Sequence, residues 1–167
     1  MALLDILEFP DSRLRTKATK IANVDGTLAS FADDMLETMY AAPGVGLAAS
    51  QVNFHKRLIV VDVSEDKDSP LILINPEIII SEGNIETEEG CLSIPGFWEP
   101  VKRSEKIQIQ ALNRDGEEFT LDAEGFLAVC IQHEMDHLEG KLFVDYISKT
   151  KRQMIRKKLL KFQKQKD

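Results

Sequence analysis

Apolar residues along this chain change their spacing several times, and each change predicts an element. Between residues 26 and 41, Leu28, Phe31, Met35, Leu36 and Met39 recur at the period of one helical face, with Asp25 or Thr27 placed to cap its start. Pro43-Gly44 ends that helix, and the small-residue run Gly44-Val45-Gly46-Leu47-Ala48-Ala49-Ser50-Gln51 follows without a plain period. Val- and Ile-rich stretches at Leu58–Val63, Leu71–Ile74 and Glu77–Ser81 then read as strands, punctuated by Asn75-Pro76 and Glu82-Gly83-Asn84. Alternation from Lys106 to Leu112 puts Ile107, Ile109 and Ala111 on one face, and Asn113-Arg114-Asp115-Gly116 turns the chain into Glu118–Leu121 as a hairpin. A helix is predicted from about Gly125 to Leu138, stopped by Gly140. A last helix over roughly 146–165 carries Ile155, Leu159 and Phe162 on one stripe. The order predicts an α+β fold: one domain over residues 1–167, antiparallel strands around a central helix, an N-terminal helix, and a basic C-terminal helix over 147–167.

Composition narrows the class. At 167 residues the chain has the size of one domain with a substantial core, and its 43% hydrophobic and 29% charged residues are those of a soluble globular protein. No stretch reaches the roughly 18 uninterrupted apolar residues a membrane span needs. The start, Met-Ala-Leu-Leu-Asp-Ile-Leu-Glu, has no basic opening and carries acids inside its apolar run, unlike a secretory signal. Two cysteines, Cys91 and Cys130, are then expected as ligand or core thiols rather than a disulfide, and the cytoplasm is the expected compartment. The net charge of −7 conceals an asymmetry: residues 149–167 hold nine Lys/Arg and one acid, so that tail carries +8 and the remainder −15. A basic tail on an acidic body implies a local partner for the tail rather than general nucleic-acid affinity.

The chemistry concentrates in Gln132-His133-Glu134-Met135-Asp136-His137. Residues four apart share a helix face, so His133 and His137 can close two corners of a tetrahedral metal site, with Glu134 between them as a base. The apolar run Phe126–Ile131 buries the helix just before His133, and buried imidazoles need partners. Read as a metzincin protease, the motif places Phe143 where a third histidine belongs, and that reading fails. A thermolysin-like reading needs a downstream glutamate, and Glu139 is the sole candidate. Cys130 and His137 lie seven residues apart, roughly 10 Å along a helix, too far for short side chains sharing one ion. Cys91, following Gly90 in a loop expected at a strand end, is the better third ligand. Cys, His and His leave a coordination position for water, the arrangement of a catalytic rather than a structural site, where the ion lowers the water's pKa.

The run Gly44–Ala49 also matches the GxGxxA dinucleotide pattern, but that pattern needs a strand before it, and here a helix and Pro43 precede. A packing loop would account for its glycines and alanines; it would not call for Gln51, whose amide can donate to a developing oxyanion. Taken together, Gly44–Gln51, Glu89-Gly90-Cys91-Leu92-Ser93 and Gln132–Gly140 resemble the three signature motifs of the bacterial peptide deformylase family, in order and spacing, and the similarity extends over essentially the whole chain. The resemblance implies a hydrolase that removes the formyl group from N-formylmethionyl nascent peptides and releases formate. It implies one divalent ion, Fe(II) in the family, with Zn, Ni or Co as exchange products, held by Cys91, His133 and His137. Glu134 would serve as base and acid, and Gln51 with the backbone N–H of Leu92 would hold the oxyanion. Val45, Gly46 and Gly90 would pair with the peptide backbone, while Val45, Phe126, Val129 and Cys130 would line the methionine pocket. The family's C-terminal helix points to the ribosome as partner of Arg152, Arg156, Lys157, Lys161 and Lys164, with no membrane and a monomeric chain expected. Gly96-Phe97-Trp98 departs from the pattern, standing in a loop where relatives often carry a polar stretch with an arginine.

Overall fold

The computed structural model describes residues 3–166. Helix α1 spans Gly26–Ala41; Asp25 caps it, its carboxylate accepting from the Leu28 N–H at 2.9 Å. Strands β1 (Gly46–Ala48), β2 (Leu58–Val61), β3 (Leu71–Glu82), β6 (Lys106–Leu112) and β7 (Glu118–Glu124) form a five-stranded antiparallel sheet in the order β1-β2-β3-β6-β7. Strands β4 (Ile85–Cys91) and β5 (Ile94–Arg103) pair as a separate hairpin. Helix α2 spans Phe126–Leu138 and α3 spans Lys149–Lys166.

The α+β architecture follows from which faces are apolar. All four residues of β2 are buried, and their alternation feeds two cores. Ile59 and Val61 join Leu73, Ile109, Ala128 and Ile131 beneath α2, while Leu58 and Val60 join Leu28, Met35, Met39 and Ile74 beneath α1. A third cluster ties α3 to the hairpin: Ile155 and Leu159 pack with Leu7, Phe9, Leu14, Ile94 and Val101. Gly140 stops α2 at φ +76°, and a Cβ there would meet the Arg15 carbonyl oxygen at 2.5 Å, so glycine meets both a left-handed turn and a close backbone approach.

Four expectations need correction. Asn75-Pro76 does not separate two strands: Asn75 takes φ +51° and its carboxamide accepts from the Ile21 N–H (2.9 Å) and donates to the Ile21 carbonyl (3.0 Å), so the strand bulges and continues. The last α-helix begins at Lys149, after a short 3-10 turn at Phe143–Tyr146. Phe162 is half exposed instead of completing the buried stripe. Gly96-Phe97-Trp98 lies within β5, not in a loop.

Candidate active site

Two elements deliver the candidate metal-ligating groups. The buried helix α2 presents His133 and His137 on one face, and β4 ends at Cys91, just before the Leu92-Ser93 turn into β5. The Cys91 Sγ and His137 Nε2 stand 3.4 Å apart, the two Nε2 atoms stand 3.3 Å apart, and all three ligand atoms lie within 4.8 Å of one another. Around a tetrahedral ion, nitrogens at about 2.0–2.1 Å are about 3.3 Å from each other, and a sulfur at about 2.3 Å is about 3.6 Å from either. The Nδ1–H of His133 donates to Glu89 Oε1 at 2.9 Å, which turns the Nε2 lone pair toward the other two donors. Lone pairs converging in a buried site repel one another unless a cation sits among them, so this donor set fits a divalent metal. Cys130 stands outside the cluster; burial pushes its thiol up, first of all causes, and keeps it protonated.

Behind His133 runs a chain of buried charges. Glu89 accepts two bonds from Arg103, at 2.8 Å each from Nε and Nη2. Arg103 Nη1 donates to Asp136 Oδ2 at 2.6 Å, and the Tyr146 hydroxyl donates to the same oxygen at 2.8 Å. Burial works against ionisation of Glu89, but Arg103 and then His133 outweigh it and hold its carboxyl below the usual range. Glu89 therefore stays an acceptor and fixes the His133 ring.

On the other side of the cluster lies a cleft of about 580 Å³. Val45, Gly46, Gln51, Gly90, Cys91, Leu92, Phe126, Val129, Cys130, His133 and Glu134 all line it, whereas His137, 1% exposed, sits deeper. Gln51 Oε1 accepts from the Ala48 N–H at 2.9 Å, which turns Nε2 toward the Ser93 hydroxyl (3.0 Å) and Cys91 Sγ (3.5 Å). Gly46 makes room for Glu134: a Cβ there would lie 2.5 Å from Glu134 Oε2.

Comparison with known proteins shows the family. The model of the family described as polypeptide deformylase matches residues 3–153. This chain belongs to the polypeptide deformylase family. It is 61% identical to the peptide deformylase of Teredinibacter turnerae, over 99% of each chain, and 61% identical to that of Azotobacter vinelandii, again over 99% of each. A crystal structure of a peptide deformylase from Legionella pneumophila superposes with a TM-score of 0.94 at 48% identity, covering 99% of this chain and 98% of that one. The Ehrlichia chaffeensis peptide deformylase in complex with actinonin gives 0.93 at 40% identity, covering 96% and 98%.

Within this deformylase-family site, the electrostatics suit proton transfer. Burial, the largest cause, pushes Glu134 up to about 7; Glu89 and Asp136 add to it while His133 and Arg103 oppose it. His137 is held well below its ordinary value by burial, then by the charges of His133 and Arg103. Burial also disfavours protonation of His133, but Glu134, Cys91 and Glu89 pull it the other way. Sequence reasoning missed Glu89, Arg103 and Tyr146. None of the three offered a signal in the sequence alone: Glu89 stands out as an acid only once β4 is known to turn Ile85 and Thr87 to the same side.

Proposed function

We propose that this chain removes the formyl group from the N-terminal formylmethionine of newly synthesised polypeptides and releases formate, using Cys91, His133 and His137 as ligands of one divalent ion. The observation that carries the reading is the meeting of one sulfur and two imidazole nitrogens beside the buried carboxylate of Glu134. The metal, when bound, acidifies water and polarises the formyl oxygen. Iron(II) is the proposed ion, and zinc, nickel and cobalt suit the same sulfur–nitrogen donors.

The residues divide the work. Glu134 takes a proton from the attacking water and returns it to the departing amine; a carboxyl near neutrality can do both. Gln51 Nε2 and the Leu92 N–H donate to the oxygen that gains charge as the formyl carbon becomes tetrahedral. Strand β1 is an edge strand, so the backbone of Val45 and Gly46 can take up an extended peptide, with Gly90 of β4 pairing from the facing hairpin. Phe126, Val129 and Cys130, together on one face of α2, wall the pocket for the methionine side chain.

Formate release from formyl-Met-Ala, with no cleavage of a blocked unformylated peptide, is the expected result. It separates a deformylase from a peptidase that cuts internal bonds. Glu134→Gln keeps the shape and removes the base, and turnover should fall by about 10²–10⁴-fold. Unchanged turnover would remove Glu134 from the base's role, and no formate from the wild type, with its other functions untouched by Glu134→Gln, would support a metal-stabilised ribosome-associated protein without catalysis.

Residues 1–167 are proposed to act as one monomeric catalytic unit in the cytoplasm, with 147–167 as its basic helix. No described helix is long and apolar enough to cross a membrane. Arg156, Lys157, Lys161 and Lys164 are exposed on α3 and Arg152 is half exposed, which supports docking on ribosomal RNA phosphates. Truncation is the wrong test, since it would strip Ile155 and Leu159 from the core. Glutamine substitutions at the four exposed positions should instead weaken ribosome co-sedimentation and spare activity on a short formyl peptide. Unchanged co-sedimentation would rule out the docking.

A further inference from the structure

Two backbone groups of the N-terminal segment tie together the stretches of chain that carry Gln51 and Cys91. The Leu7 N–H donates to the Gln51 carbonyl at 2.7 Å, and two residues on the Phe9 N–H donates to the Ser93 carbonyl at 2.8 Å. Between these fixed backbones the side chains of Gln51, 1% exposed, and Ser93, 0% exposed, meet at 3.0 Å, with Gln51 Nε2 donating to the Ser93 hydroxyl oxygen. A planar carboxamide has one acceptor oxygen and two N–H donors. Here the oxygen is held by the Ala48 N–H at 2.9 Å and one N–H is held by Ser93, so two anchors fix the plane. The second N–H is left to Cys91 Sγ, at 3.5 Å, and a sulfur is a weak acceptor.

We propose that Ser93 is a positioning residue for the reaction, its hydroxyl holding the Gln51 carboxamide so that the second N–H meets the formyl oxygen as that oxygen gains charge. The inference rests on the deformylase reading above, in which Gln51 is an oxyanion donor. An oxyanion is a far stronger acceptor than sulfur, so it takes over the N–H that Cys91 holds weakly, while the bond to Ser93 persists throughout. The amide then needs no rearrangement when charge develops, which is what makes a fixed donor effective. Without the hydroxyl, the first N–H is buried with no acceptor. The carboxamide rocks about its anchored oxygen to share its hydrogens between Cys91 and water, and its aim is lost. Substrate still binds, because the neutral formyl oxygen gains little from this donor, and the loss falls on the transition state. Ser93 itself does not line the cleft, so it acts through Gln51, which does.

The test compares wild type, Ser93→Ala, Gln51→Ala and the double variant on formyl-Met-Ala, each at full metal occupancy. Losing an oxyanion donor costs about 10²–10³ in kcat, and misaiming one costs part of that, so Ser93→Ala should lower kcat about 10–100-fold. Its KM should stay within about twofold of wild type. Added to Gln51→Ala, the same change should lower kcat by less than about twofold further, because the group it positions has gone. A serine that merely packed would cost the same factor in both backgrounds. Nitrogen–proton NMR of the zinc-loaded protein reads the amide without turnover. The Gln51 side-chain resonances, assigned by their absence from Gln51→Ala, should exchange slowly with solvent in the wild type; Ser93→Ala should shift one proton and speed its exchange. Equal losses in both backgrounds, a Ser93→Ala kcat within about twofold of wild type, or a wild-type Gln51 amide in rapid exchange would overturn the role of Ser93. Wild-type kcat in Gln51→Ala would instead overturn the oxyanion role of Gln51, and no formate from the wild type would overturn the deformylase reading beneath both.

Discussion

Replacing Arg103 by methionine removes one side chain from the middle of a buried charge chain. Arg103 is 7% exposed and makes three bonds, two at 2.8 Å to Glu89 and one at 2.6 Å to Asp136. Methionine fills the space but leaves Glu89, 6% exposed, without its cation. Breaking a buried pair from one side costs about 3–5 kcal/mol, because the remaining charge is left uncompensated. For a domain of this length each kcal/mol moves Tm by about 2–4 °C, so the variant should melt about 6–20 °C lower. A second effect reaches the metal site: without Arg103 the Glu89 carboxyl rises, its hold on the His133 Nδ1–H weakens, and metal affinity should fall about 10–100-fold. Thermal denaturation and competitive metal titration read the two effects separately. Adding Glu89→Gln to Arg103→Met should cost less than the two single changes summed, since the stranded charge is then gone. A Tm within about 2 °C of wild type, or an unchanged metal affinity, would refute the reasoning.

Two other outcomes follow from the geometry. Gly46→Ala puts a methyl 2.5 Å from Glu134 Oε2, so turnover of formyl-Met-Ala should drop about 100-fold while the ion stays bound, as kinetics and metal analysis would check. Asp145 is held below its ordinary value because Arg15, at 2.7 and 3.0 Å, and the Leu142 N–H outweigh the opposing effect of burial. Its lowered folded value means this stabilisation is complete above the unfolded carboxyl's pKa and fades as acid takes pH through the folded one. Asp145→Asn should therefore cost about 1 kcal/mol near neutrality in urea unfolding, with the gap to wild type closing at strongly acidic pH.

Much of the architecture was legible because apolar spacing records burial. The α1 stripe with its Asp25 cap, the hairpin expected over Lys106–Leu121 (its second strand running on to Glu124) and the apolar approach to His133 all formed. The β4–β5 hairpin was not, although it carries Cys91. Its inward positions include Glu89 and Arg103, which are buried only because each satisfies the other across strands, and apolar alternation cannot record such a pair. Asn75-Pro76 misled for a related reason: a side chain clamped on Ile21 turned an apparent strand break into a bulge. Of the site, Cys91, His133, His137 and Glu134 were singled out by motif spacing and do lie together, whereas the partners behind them were not readable. Arg103 and Tyr146 meet Asp136 only once the chain has folded.

The account depends most on Cys91 supplying the sulfur. Zinc K-edge absorption on the loaded protein addresses that directly, and it should find one sulfur at about 2.3 Å with two imidazole nitrogens at about 2.0–2.1 Å. The sulfur shell should vanish in Cys91→Ser and persist in Cys130→Ser. A shell of nitrogen and oxygen alone in the wild type, or a sulfur that survives loss of Cys91, would contradict it.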